Sequence, residues 1–253
     1  MDYLFKCVEA QLAPFGTLHY YAYRKLDDDT KTVLYALDQL KSKWIEASEL
    51  YRDAVPAKQK LLWWQQELMS GKTNRNRMPL LNTILHRCDP NMASQSLLHD
   101  CKIAIETLTD GRKTNLMTHF KQNYLGIESL KASVLGDADR SAIEALNTVN
   151  EITRHILLIN RHYSRNIILD HRVSPQMAVE VYRDIVKAWL ESAFCHGKMA
   201  LKDKHLPNAL VNIAKIQSMA CRTCYRKIKN PFTETITLSP LRLLFASLGS
   251  TKF

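Results

Sequence analysis

An all-α fold follows from three properties of this 253-residue chain. Apolar residues recur every three or four positions almost throughout, and sustained two-residue alternation is rare. Glycine and proline are scarce, at 7 and 8, which favours long helices over many short strands and turns. Six of the prolines and three of the glycines stand at the edges of the helical patterns: Pro56, Pro79, Pro90, Pro175, Pro207 and Pro240 at starts, Gly71, Gly111 and Gly136 at ends or in turns.

In chain order, the patterns predict helices over 3–13, 17–25, 29–52, 56–70, 78–87, 93–108, 114–135, 140–168, 175–197, 206–229 and 239–248. The third follows Asp27-Asp28-Asp29, a triplet placed to cap its free N–H groups and complement the helix dipole. The next two open at Pro56 and just before Pro79, and the sixth follows Pro90. Adjacent Trp63 and Trp64 point about 100° apart on a helix, so one is expected inside and the other at a boundary. The pattern over 114–135 runs to Gly136. Ile143, Leu146, Val149, Ile152, Ile156 and Ile159 form one face of the helix over 140–168, and Pro175 opens the next. Leu206, Leu210, Ile213, Ala220, Cys224 and Ile228 form another face, with Lys215, Arg222, Arg226 and Lys229 on other sides. Pro240 opens the last. No linker or low-complexity stretch divides the chain, so a single domain over 1–253 is expected.

Hydrophobic residues at 46% and charged residues at 24% are ordinary for a globular protein with a real core. Charge interrupts every apolar run well short of a membrane span. The N-terminus has no basic region followed by an apolar core, which argues for a cytoplasmic protein. In that compartment the six cysteines read as reduced thiols. Cys221 and Cys224 form a lone C-x-x-C on a helical face, where they read as packing residues, since a zinc site needs four ligands. His86, His99, His119 and His155 are too dispersed for a metal cluster. A net charge of +10 calls for an anionic partner: a lipid surface, a diphosphate or nucleic acid. The basic residues lack the aromatic-basic repeats of a nucleic-acid module, which argues against the third.

Three blocks then stand in order: His-Tyr-Tyr-Ala-Tyr-Arg-Lys-Leu (19–26), Val-Leu-Tyr-Ala-Leu (33–37) and Lys-Leu-Leu-Trp-Trp-Gln-Gln-Glu-Leu (60–68). In order and spacing they resemble the front half of the squalene/phytoene synthase family. That resemblance implies an isoprenoid-synthase-like helical bundle around a central cavity. It also implies head-to-head condensation of two prenyl diphosphates, with magnesium held between two aspartate-rich helices. Magnesium needs such oxygen ligands one helical turn apart, so that the charge on the leaving pyrophosphate is neutralised.

The implied metal positions are poorly filled. With Tyr35-Ala36-Leu37 on the family's Tyr-Ala-Phe segment, Gln39 stands where an Arg belongs, and Ser42 and Lys43 where Asp-Asp belongs. Glu46 and Ala47 close the motif. Only Glu46 keeps an acid, and the Lys43 ammonium would repel a metal ion. The second acidic segment matches Leu158-Ile159-Asn160-Arg161-His162-Tyr163-Ser164-Arg165-Asn166. Asn160 and Arg161 fit it, but His162 and Arg165 or Asn166 replace the two Asp.

The resemblance therefore implies a ligand-binding set of Tyr21, Arg24, Gln39, Lys43, Asn160, Arg161, His162 and Arg165, holding a prenyl diphosphate or anionic lipid directly. No cofactor is expected. The expected function is a binding or assembly protein that has lost magnesium-dependent transfer, cytoplasmic and peripheral to the inner face of a membrane. The alternative is an active prenyltransferase using magnesium, with Glu46 and Asp38 as its acids, supported by Glu49 and Asp170.

Overall fold

A computed structural model describes residues 17–50, 53–71, 78–109, 116–136, 138–164, 170, 172–174 and 177–227. They form ten α-helices and one π-helical turn, and no strand occurs among them. The helices are α1 (Leu18–Tyr23), α2 (Asp28–Ile45), α3 (Ala54–Gly71), α4 (Pro79–Arg87) and α5 (Pro90–Thr109). They continue as α6 (Leu116–Gln122), α7 (Leu125–Leu135), α8 (Arg140–Ser164), α9 (Val179–Ala200) and α10 (Asn208–Lys227). The all-α expectation holds. The helices expected over 3–13 and 239–248 lie outside the described residues.

The chain divides into two compact units. Unit 1 comprises 1–110 and 123–137, and unit 2 comprises 111–122 and 138–253.

In unit 1, α2 packs against α4 and α7, and α3 against α5. Their shared core includes Leu37, Leu40, Trp44, Leu61, Trp64, Leu68, Leu97, Tyr124, Ile127 and Leu130. Helix α2 starts where Asp27 accepts a hydrogen bond from the Thr30 N–H at 2.8 Å, the capping role expected of the triplet. Its C-terminal end widens into a π-turn over Glu46–Leu50. Trp64 is buried at 3% exposure and Trp63 is 41% exposed, one inside and one at the boundary, as their spacing requires.

The single helix expected over 114–135 is instead two, α6 and α7. Tyr124 breaks it by adopting a left-handed conformation with φ 57°, a state that costs a non-glycine residue about 1–2 kcal/mol. Tertiary contacts repay that strain. Tyr124 is fully buried, and the Asp100 carboxylate from α5 accepts the N–H groups of Gly126 at 3.1 Å and Ile127 at 2.7 Å. These are donors at the start of α7 that an uninterrupted helix would have satisfied internally.

In unit 2, α8 is the central element and packs against α6, α9 and α10. It buries Ile143, Leu146, Val149, Ile152, Ile156 and Ile159, the apolar face seen in its spacing. Asn147 donates to the carbonyls of Phe120 at 3.3 Å and Lys121 at 3.2 Å, which fastens the end of α6 to α8. Cys221 is buried on α10 with its thiol on the Thr153 carbonyl at 3.0 Å, a packing residue as expected. The Cys224 side chain lies outside the described residues.

Candidate functional site

The most unusual chemistry of unit 1 lies between α2 and α7, where four charges are withdrawn from water. Asp38 and Lys41 sit one turn apart on α2, and Glu128 and Lys131 one turn apart on α7. Lys131 bridges both acids, binding Asp38 through Oδ1 and Glu128 through Oε1 at 3.1 Å. Lys41 also donates to Glu128, at 3.0 Å. The other Asp38 oxygen accepts the Tyr23 hydroxyl at 2.7 Å and has His19 Nε2 at 3.5 Å. Side chains of Asp38, Lys131 and Glu128 are only 2–5% exposed, and His19, at 29%, is the member of the group nearest to solvent.

Burial by itself pushes the Glu128 carboxyl up, but the Lys131 and Lys41 ammoniums outweigh it and hold the pKa at about 2. The Tyr23 hydroxyl is pushed well above its ordinary value by burial and by the Asp38 charge. Burial lowers His19, with Asp38 opposing, so the imidazole is neutral near pH 7. The quartet is formally balanced, two acids against two lysines, and each acid is satisfied by named donors.

Of the acids named for the alternative reading, Asp38 and Asp170 are held by internal cations. Asp38 belongs to the quartet. Glu46 opens the π-turn and stands 4.0 Å from both Lys43 and Lys60, a partly exposed surface cluster. Glu49 is fully buried in the π-turn. Asp170, in unit 2, is buried and holds Arg172 through a forked pair, with contacts of 3.1, 3.1 and 2.7 Å. A magnesium ion does not fit the first helix as built. An ammonium already occupies the space between Asp38 and Glu128, and lysines flank Glu46. Among the described residues, no group of three or more His, Cys, Asp or Glu side chains could hold a metal ion.

The residues named for ligand binding fall in both units. In unit 1, Tyr21 is buried with its ring edge-on to Tyr20, Arg24 ends α1 half-buried, and Gln39 is buried on α2. Lys43 is half-exposed beside Glu46. In unit 2, Asn160 is half-buried, Arg161 exposed and His162 fully buried, so the polar run of α8 does not present one common face. His162 stacks 5.4 Å from His155, whose ring also meets Phe120 and Trp189. Arg165 lies outside the described residues. A surface cavity of about 560 Å³ in unit 1 is lined by Asp29, Thr32, Val33, Pro79, Asn82, Thr83, His86 and Arg87, none of them in that set.

Lys41, Glu128 and Lys131 are absent from the expected set. Their signal is the repeated spacing Asp38-Gln39-Leu40-Lys41 and Glu128-Ser129-Leu130-Lys131, an acid followed one turn later by a lysine. Such pairs usually lie on solvated faces, so the spacing alone does not announce burial.

No protein-family model matches this chain, and no curated protein matches it. No helix among the described residues is long and apolar enough to cross a membrane.

Proposed function

We propose that this chain is a relative of the squalene/phytoene synthases that binds a prenyl diphosphate or a phosphate-bearing lipid without magnesium and does not ionise it. On this reading it is a binding or assembly protein on an isoprenoid-synthase-like scaffold, working at the anionic inner surface of a membrane. The observation that supports it best is the Lys131 ammonium between Asp38 and Glu128. Asp38, one of the two acids the prenyltransferase alternative relies on, is thereby held by an internal cation. Binding energy from fixed ammonium or guanidinium groups holds a diphosphate in ground and transition state alike, and so does not speed its departure.

The test is pyrophosphate release from geranyl, farnesyl and geranylgeranyl diphosphates, with and without magnesium, beside calorimetric binding of the same ligands in a chelator. The expected result is binding that survives the chelator and no release under either condition. Magnesium-dependent release that disappears in Glu46→Gln or Asp38→Asn would establish the prenyltransferase alternative. Absence of binding from folded protein would remove the ligand.

A further inference from the structure

Asp100 is fully buried on α5, and its bonding sets it apart from the acids of the quartet. Asp38 and Glu128 are bonded to Lys131, as Asp170 is to Arg172. The Asp100 carboxylate instead accepts two backbone N–H groups, Gly126 at 3.1 Å through Oδ1 and Ile127 at 2.7 Å through Oδ2. Both donors belong to the first turn of α7. That helix's own cap residue, Tyr124, makes no side-chain capping bond and holds the left-handed φ of 57°. One helix thus borrows its cap from another. The cover over this carboxylate is thin. Leu125 and Gly126 are only half-buried, so the turn above Asp100 borders solvent. Gly126 adds no side chain to that cover, and a Cβ there would lie 2.9 Å from Asp100 Oδ2.

We propose that Asp100 is a proton-operated latch on the first turn of α7. With its proton, the carboxyl stays dry beneath Gly126; without it, the turn opens more readily about Tyr124 and lets water reach the carboxylate. A buried carboxylate whose hydrogen bonds come from neutral groups is the kind that ionisation penalises. Burial pushes Asp100 up to about 7 from 3.8, against the two N–H groups and the Lys41 charge. In the opened turn the hydrated carboxyl returns towards its ordinary value, so opening between about pH 4 and 7 releases one proton to solvent. Over that window the open-to-closed ratio rises about tenfold per pH unit, and it levels off above about pH 7, where both forms are ionised. Strain at Tyr124 works in the same direction, since a left-handed tyrosine relaxes when the turn lets go. Among the facing charges, Lys41 on α2 favours ionisation and Glu128 on α7 opposes it. The π-turn, α3 and α4 also pack against α5. They carry the buried Glu49, then Glu67 and Lys60, and Arg87, which pairs with Asp29. The opening turn itself carries Glu128, the partner of Lys41 and Lys131, so the latch is felt at the quartet.

The experiment is NMR on the full chain, following the Asp100 carboxyl carbon against pH and amide exchange at Gly126 and Ile127 with and without low urea. The expected carboxyl midpoint is about 7. From about pH 5 to 6 the two amides should exchange about a hundredfold faster, tenfold from hydroxide catalysis and tenfold from the latch. From about pH 8 to 9 the hydroxide factor alone should remain. In Asp100→Asn, which cannot ionise, that factor alone should operate throughout. If that variant does not fold, two neighbours give the same reading: Lys41→Gln should raise the carboxyl midpoint and Glu128→Gln should lower it, each moving the steep range of amide exchange with it. A carboxyl midpoint below about 5 would overturn the proposal. So would a steep rise that persists in Asp100→Asn, a steep range that stays put when the midpoint moves, or exchange at Ile127 as sensitive to urea as global unfolding, which would leave no local opening.

Discussion

Lys131 on α7 donates to Asp38 on α2, 93 positions earlier in the chain, with both side chains only 2–3% exposed. The pair is locked from either side. Tyr23 and His19 hold the second Asp38 oxygen, and Glu128 shares the lysine. This one contact ties the start of the described chain to the last helix of unit 1. It also decides what Asp38 can do: a carboxylate neutralised by an internal ammonium is not a metal ligand.

Removing one member leaves the others charged in a place without water. Lys131→Met is expected to cost about 3–5 kcal/mol, because the uncompensated Asp38 charge stays buried. Adding Asp38→Leu should restore part of the loss, so the double variant is more stable than the sum of single effects implies. Urea unfolding of the three variants measures this. Additive losses would show that the bridge contributes no coupling.

Two buried acids bend the pH dependence in opposite directions. Glu128 has a folded pKa of about 2 against an ordinary 4.5. Its stabilisation is therefore complete above pH 4.5 and is lost as pH falls towards 2. Burial pushes Asp100 up to about 7 from 3.8, against the opposing N–H groups of Ile127 and Gly126. Its ionisation consequently costs stability near and above pH 7, a cost that fades as pH falls towards 4. Melting temperature against pH should lose its acid-side decline in part in Glu128→Gln, and should flatten between pH 4 and 7 in Asp100→Asn.

Gly126 is where α7 comes closest to α5. A Cβ there would lie 2.5 Å from the Ser96 carbonyl oxygen and 2.9 Å from Asp100 Oδ2. Because the nearer atom is backbone, relief requires the helices to part, and Gly126→Ala should destabilise by about 1–3 kcal/mol. Chemical denaturation measures this, and a neutral result would mean that α7 can shift without loss.

Thiol reactivity should separate the cysteines sharply. Cys195 is exposed, whereas Cys88, Cys101 and Cys221 are buried. Burial and the nearby Asp100 push the Cys101 thiol up to about 12, which leaves almost no thiolate at neutral pH. Among these four, a thiol reagent on the folded protein should label Cys195 first and Cys101 only on unfolding, as mass mapping of the adducts would show.

Periodicity, proline placement and the Asp27 cap made the helices legible, since each is a property of neighbours within one or two turns. The same locality explains the capping at Thr30 and the division of labour between Trp63 and Trp64. The break at Tyr124 was not legible, because the reason for it is Asp100, 24 positions earlier in the chain. Nor was the burial of the quartet. Asp38-x-x-Lys41 and Glu128-x-x-Lys131 have the spacing of ordinary surface pairs, and only the packing of α2 on α7 turns them inward to satisfy one another. The sequence by itself determined the helices of the described residues and a strongly basic balance, with a net charge of +10. Tertiary structure alone decided which of the carboxylates were free, because a buried charge takes its partner from whichever helix packs against it.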